Sequence, residues 1–202
     1  MKVLKLFVLS VCFCFVQAVL AQSSPVPMLE QTANAIIGTL KDNKASLQSN
    51  PEIVYKAVEQ HLLPKVDVEG MSRSVLGRQA WNKATASERT QFSKAFTRLV
   101  IRTYSTPLAK YSDETVQFLP LRGSLEGRFV RVNSVIVRSE GQNIPLSYSL
   151  VVKDGQWRIY DMSVEGVSLL QSFRSQFAQA LQGSSISDVV KKMQQTQAKK
   201  VQ

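Results

Sequence analysis

From residue 28 to 47 the apolar side chains fall at Leu29, Ala33, Ile36, Ile37, Leu40 and Leu47, a spacing of three and four that draws one stripe along an amphipathic helix. Asn50-Pro51 supplies a cap and a first-turn proline for a second helix, with Ile53, Val54, Ala57, Val58 and His61 on its inner face and Pro64 as its stop. A short helix is expected over 68–76, closed by Gly77. Thr85 and Glu88 have the spacing of a capping box. They open the longest helix, to about residue 104, with Phe92, Phe96, Leu99, Val100 and Tyr104 along one side; Pro107 kinks or restarts it before Leu108 and Tyr111.

Beyond residue 115 the period changes from about four to two. Residues 115–121, 128–138, 144–153 and 156–164 are rich in Val, Ile, aromatic residues and Ser, and are parted by the turn signals Gly141-Gln142-Asn143 and Asp154-Gly155. The third run alternates cleanly, placing Ile144, Leu146, Tyr148, Leu150 and Val152 on one face. The second and fourth runs are apolar on both sides, as in a sheet that is bulged or covered twice. A helical stripe follows at Leu170, Phe173, Phe177 and Leu181, then a last helix over 187–195 that fades into a Lys/Gln tail, expected to be disordered over 196–202. Helices, a four-stranded antiparallel meander, then helices again: the pattern predicts a single α+β domain over 28–195, with a curved sheet wrapped by helices.

The N-terminus changes the picture. Lys2 and Lys5 precede an apolar run from Leu6 to Leu20 that ends at Val19-Leu20-Ala21. This is the layout of a cleavable signal peptide and is short for a bilayer span, so cleavage is expected after Ala21, leaving 22–27 as a flexible lead. Cys12 and Cys14, the two cysteines of the chain, leave with it. Removing 21 of 202 residues leaves 181, enough for one domain with its own core but without a thiol or a disulfide. The whole chain carries +10; loss of Lys2 and Lys5 leaves +8. Outside the cytoplasm such a charge points to anionic headgroups or acidic protein surfaces rather than to nucleic acid.

The inventory for catalysis is poor. His61 is the single histidine, which excludes a two-histidine metal site, and no metal site is expected. No Gly-x-Ser-x-Gly elbow or phosphate-cradling glycine loop is present. Asp161 and Glu165 are two nearby carboxylates; their simpler role is to hold the strand-to-helix turn or to pair with Arg174. No catalytic residue and no enzyme activity is expected.

Two blocks of residues resemble a known family. Val66-Asp67 leading to Ser74-Val75-Leu76-Gly77, Phe92-x-x-x-Phe96 and Thr103-Tyr104 is the weaker block. The stronger runs from Gly155-Gln156-Trp157-Arg158-Ile159-Tyr160-Asp161-Met162-Ser163-Val164 through Glu165-Gly166-Val167-Ser168 to Phe173-Arg174-Ser175-Gln176-Phe177. Together they resemble the MlaC family, also known as the toluene-tolerance or auxiliary organic-solvent-tolerance family, over residues 28–195. Val68 stands where the family often has an aromatic, and Arg78-Gln79-Ala80-Trp81 spaces its aromatic slightly differently.

The resemblance implies a periplasmic carrier that shuttles a glycerophospholipid between outer and inner membranes to maintain outer-membrane lipid asymmetry. It implies a nuclear-transport-factor-two-like cone with the tails in an apolar cavity and the headgroup in water, phospholipid as cargo and no cofactor. The implied partners are an outer-membrane lipoprotein-porin complex and an inner-membrane ABC transporter complex with a ring of substrate-binding domains, met by a monomer. On that expectation the cavity wall draws on Phe92, Phe96, Leu99, Val100, Tyr104, Ile144, Leu146, Tyr148, Leu150, Phe173 and Phe177. Headgroup or partner docking falls to Arg73, Arg78, Lys83, Arg89, Lys94, Arg98, Arg102, Arg122, Arg128, Arg131 and Arg138. Periodicity alone is equally met if the first set fills a solid core, and solvated surface charge accounts for the second. Two other functions stay open: a lipid-modifying enzyme, which would lose turnover on changing His61, Asp161 or Glu165, and a secreted polyanion-binding module, which would show steep salt dependence and no bound lipid.

Overall fold

The computed structural model describes residues 23–110, 113–122 and 125–199; the expected leader and its cleavage site, Tyr111, and residues 200–202 lie outside the described residues. Five helices come first: α1 (Val26–Asp42), α2 (Glu52–His61), α3 (Val68–Leu76), α4 (Arg78–Lys83) and α5 (Ala86–Leu108). The strands β1 (Thr115–Phe118), β2 (Phe129–Val137), β3 (Ile144–Lys153), β4 (Gln156–Val164) and β5 (Val167–Ser168) form one antiparallel meander in chain order. Helices α6 (Leu169–Leu181) and α7 (Ile186–Lys199) close the chain.

The fold is the expected α+β one, with local corrections. The sheet has five strands rather than four. Glu165 and Gly166, at φ 51° and 81°, make a tight turn that lets Val167 pair back on Val164, giving a strand too short to leave a pattern. Helix α4 carries one buried side chain, Trp81, so it too shows no periodicity. Helix α1 ends at Asp42, and Leu47 is buried from outside it, packed with Leu40 and Val54. The lead before α1 is tied down: the Trp157 indole N–H donates to the Ser23 carbonyl at 2.7 Å, and α1 starts at Val26. Helix α7 continues to Lys199, four residues into the stretch expected to be disordered.

Cross-strand pairing sets which side chains share a face. Val132, Tyr148 and Met162 form one row across β2, β3 and β4; Leu146 pairs with Val164, and Ile136 with Ile144. Between Ser149 and Leu150 the β3–β4 register shifts, with Tyr160 the extra residue on β4. The bulge changes the parity of β4, so Trp157 and Ile159 before it share a face with Met162 and Val164 after it. A strand that reads as apolar on both sides is therefore apolar on one. That face lies against the helices, while Phe129, Arg131 and Asn133 on the other side of β2 are exposed.

Polar ties fix where the helices sit. The Thr85 hydroxyl accepts from the Glu88 N–H at 3.2 Å and Glu88 accepts from the Thr85 N–H at 2.9 Å, the capping box read from the sequence. That bond to the Thr85 backbone holds the Glu88 carboxyl below its usual pKa. Asp67 caps α3 by accepting from the Gly70 N–H at 3.1 Å and from the Lys153 ammonium at 2.8 Å, joining α3 to β3. A Cβ at residue 70 would stand 2.1 Å from the Asp67 carboxylate, so any larger residue there would push that carboxylate out of its capping position. Asp161 is buried and accepts from the Ser168 hydroxyl at 2.7 Å and the Leu170 N–H at 3.0 Å, anchoring the start of α6 to β4. Asp161→Ala strips two bonds from a buried turn and is expected to lower the free energy of unfolding by about 2–3 kcal/mol, read from urea denaturation; Asp161→Asn, which keeps an acceptor, is expected to lose less.

Candidate ligand cavity

Two solid cores flank an empty space. The first lies among α3, α5, α6 and α7, where Phe92, Phe96, Phe173 and Phe177 meet. Phe92 and Phe177 stand edge-on at 5.4 Å between ring centroids, as do Phe96 and Phe173. The second core covers the far end of the sheet, where Leu29 of α1 packs with Val132, Tyr148, Leu150, Trp157 and Ile159. Between them the helices stand off the sheet and leave a cavity of about 280 Å³.

Successive turns of α5 supply Phe96, Val100, Ile101, Tyr104 and Leu108 to one wall. The sheet supplies Ile136, Ile144, Leu146, Met162 and Val164 opposite, and Val58, Leu62, Leu63, Val66, Val68 and Met71 close the side formed by the end of α2 and the start of α3. Leu169, at the head of α6, completes it. Among the described residues no charged side chain lines the cavity, and Thr97 and Tyr104 carry its side-chain hydroxyls. Burial pushes the Tyr104 phenol above its usual pKa, so it stays neutral throughout the physiological range. A space with such walls excludes water and favours hydrocarbon.

Of the residues expected to line a cavity, Phe96, Val100, Tyr104, Ile144 and Leu146 do so. Phe92, Phe173 and Phe177 fill the helical core instead, with Leu99 packed against it, because α6 and α7 cover that side of α5. Tyr148 and Leu150 share the cavity face of β3 but are covered by α1 and belong to the second core. Ile136, Met162 and Val164 were not among the expected cavity residues; the apolar excess of the second and fourth strand runs was the available sign of them. Of the carboxylates, Asp161 holds the strand-to-helix turn, and Glu165 is exposed in the β4–β5 turn. His61 is half-buried at the last residue of α2, and no cluster of three metal-ligating side chains occurs among the described residues.

The cationic set divides by its contacts. Arg89 donates from Nε to the Trp81 carbonyl at 2.9 Å and lies over the Trp81 ring at 5.3 Å. Arg102 sits over Tyr55 at 5.8 Å and 3.9 Å from Glu52, Arg138 is 3.9 Å from Glu114, and Arg128 donates to the Val152 carbonyl at 3.4 Å. Arg131 lies on the sheet face turned away from the cavity, and Arg122 is exposed before β2. Arg73, Arg78 and Lys83 are exposed on α3 and α4. Lys94 and Arg98, one turn apart on α5, border an open groove of about 940 Å³ with Tyr55, Glu59, Glu69 and Trp81. Leu63, Val68 and Thr97 belong to both groove and cavity, so a wall one side chain thick separates them.

Fold and cavity together define an α+β shell enclosing an apolar, charge-free space. The family model described as MlaC protein matches residues 30–195, and the chain belongs to that family. It is 29% identical over 162 residues to the toluene tolerance protein ttg2D of Pseudomonas putida, covering 80% of this chain and 75% of that one. It is 27% identical over 193 residues to the intermembrane phospholipid transport system binding protein MlaC of Haemophilus influenzae, covering 94% and 89%. A phospholipid-binding protein from Ralstonia solanacearum, solved in complex with a phospholipid, superposes with a TM-score of 0.78 at 24% identity, over 90% of this chain and 99% of that one.

Two leucines on the same face of β3 test the division between cavity and core. Leu150 is fully buried in the second core, whereas Leu146 borders the open space. Leu150→Ala is expected to cost about 3–5 kcal/mol and Leu146→Ala about 1–2 kcal/mol in the ligand-free protein, since fewer contacts are lost beside a void; urea unfolding of both variants measures the difference.

Proposed function

We propose that the chain is a periplasmic phospholipid carrier that moves glycerophospholipid between the outer and inner membranes and so helps to maintain outer-membrane lipid asymmetry. The observation that carries this reading is the charge-free cavity between two filled cores, in a member of a family whose relatives include a phospholipid transport binding protein. The acyl chains enter the cavity and the headgroup stays at its water-facing side. The signal-peptide layout of residues 1–21 supports delivery to the periplasm, and among the described residues no helix is long and apolar enough to cross a membrane. The carrier performs no chemistry on its cargo and needs no cofactor.

The energetics fit such a role. Two acyl chains hold on the order of 30 methylenes, each worth about 0.8 kcal/mol against water, a gross of about 24 kcal/mol that forbids escape into solvent. A donor membrane is as apolar as the cavity, so transfer between them is close to neutral and needs direct docking. The partners are an outer-membrane lipoprotein-porin complex and an inner-membrane transporter complex, approached by a monomer and guided by the net charge of +8 left after loss of the leader from the +10 chain. At about 280 Å³ the cavity falls just below the roughly 300–1,000 Å³ of pockets that enclose drug-sized ligands. Two full tails therefore require the helical wall to move outward from the sheet.

Native mass spectrometry of protein prepared without detergent is expected to show one phospholipid per chain, identified by extraction of the same sample. Val100→Trp, which pushes an indole into the cavity, is expected to reduce loading from phospholipid vesicles by about tenfold, the scale of a few lost methylene contacts. Protein that stays empty after incubation with vesicles would contradict the carrier reading.

A further inference from the structure

Resting on the carrier reading, we infer that Phe96 and Met71 form the floor of the cavity and set the length of acyl chain that the protein carries. One end of the cavity is closed by filled core. Phe96 and Met71 line the space and also belong to the aromatic core, and Ile159 lines it and belongs to the second core. Val66 packs against both cores, so they meet there and shut the space. Phe96 is 2% exposed and Ile159 0%, which leaves no way past them. At the other end Pro107 is exposed, and Ile136, Ile144 and Val164 are half-buried and outside the filled cores among the described residues. A tail enters between Pro107 and Ile144, where its headgroup keeps its water, and its methyl end stops at Phe96 and Met71.

The path between the two ends is as long as an ordinary membrane tail. Along α5, the rise from Phe96 to Leu108 is about 18 Å at roughly 1.5 Å per residue. Along the sheet, Ile159 pairs with Leu150, and β3 from Ile144 to Leu150 spans about 20 Å at roughly 3.4 Å per residue. One leaflet of a bilayer is about 15 Å deep, half of the hydrocarbon core, so tails of about 16–18 carbons fill the path and longer ones overrun it. Width and length are set by different parts. Moving the helical wall outward widens the space for a second tail. The floor stays, because Phe96 stands edge-on to Phe173 at 5.4 Å and to Phe177 at 6.1 Å between ring centroids. Surplus methylenes are then left in water at the mouth, each lowering occupancy about fourfold.

The test incubates delipidated protein with vesicles of equimolar monounsaturated phosphatidylglycerols whose tails run from about 14 to 22 carbons, shorter and longer than the path. Native mass spectrometry then reads which lengths the protein carries. The wild type is expected to load about evenly up to roughly 18 carbons and at least tenfold less at about 22, the scale of a few methylenes left in water. Phe96→Leu and Met71→Ala lower the floor from two different helices, and each is expected to move the fall by about two carbons to longer tails. The vesicles are the same for every variant, so a shift between variants reports on the protein and not on the donor. Phe92→Leu loosens the same aromatic core at a residue that does not line the cavity, and is expected to keep the wild-type distribution. Thermal melts verify that the variants fold. Loading with one length distribution in the wild type, Phe96→Leu and Met71→Ala would overturn the floor and leave the carrier reading standing. An equal shift in Phe92→Leu would also overturn it, since loosening anywhere in the core would then suffice. No loading at any length would overturn both.

Discussion

The structure turns on one constraint: α5 packs into a solid aromatic core on one side and leaves its neighbouring side without protein to touch. The Phe92–Phe96–Phe173–Phe177 cluster holds the helix against α6 and α7. At the other end of the sheet, Leu29 and Trp157 bring α1 down onto β3 and β4. With both ends fixed, the middle cannot collapse, and the row Val100–Tyr104 faces Ile144 and Leu146 across a void. An unfilled apolar space of about 280 Å³ leaves its lining without the packing contacts that a filled core would give. Hydrocarbon entering the space recovers much of that loss, so the same feature that weakens the empty protein favours the filled one.

The polar ties stand at the rim of this arrangement. Asp161 pins the start of α6 at the end of the cavity where Leu169 closes it. Asp67 holds the start of α3 to Lys153 of β3, and the Trp157 indole holds the chain before α1. Each tie is made by residues that do not themselves line the cavity, which leaves the wall apolar. The link between α2 and α3, from Leu62 to Val68, contributes to the cavity and is held to the sheet by the Asp67 N–H donating to the Ile159 carbonyl at 2.9 Å. Cohesion and open apolar space thus separate: the polar ties stand at the rim, and the cavity lies at the centre.

Most elements were legible in the sequence because their signals are local. The Thr85–Glu88 box, the Asp154-Gly155 turn and the alternation from Ile144 to Val152 each depend on residues a few positions apart. The two-residue β5 and the six-residue α4 were not, since neither spans a full period. The cavity was half legible. Ile144, Leu146, Tyr148 and Leu150 are equivalent in pattern, and only the position of α1, distant in sequence, makes the last two core and leaves the first two open. The same holds for α5, where Phe92 and Val100 differ in what α6 and α7 cover. Periodicity records that a side chain turns inward; it carries no record of whether protein or empty space awaits it. The groove of mixed charge was not legible as a unit because its members come from α2, α3 and α5.

The central claim is that acyl chains occupy the space between α5 and the sheet. Loading the protein with a phospholipid carrying a photoreactive diazirine at mid-chain, followed by irradiation and peptide mapping, tests it most directly. The expected result is labelling concentrated on Val100, Ile101 and Tyr104 of α5 and on Leu146 of β3. Labelling confined to the exposed face of the sheet around Phe129, or spread over the surface at the level seen with a tail-less control, would contradict the account.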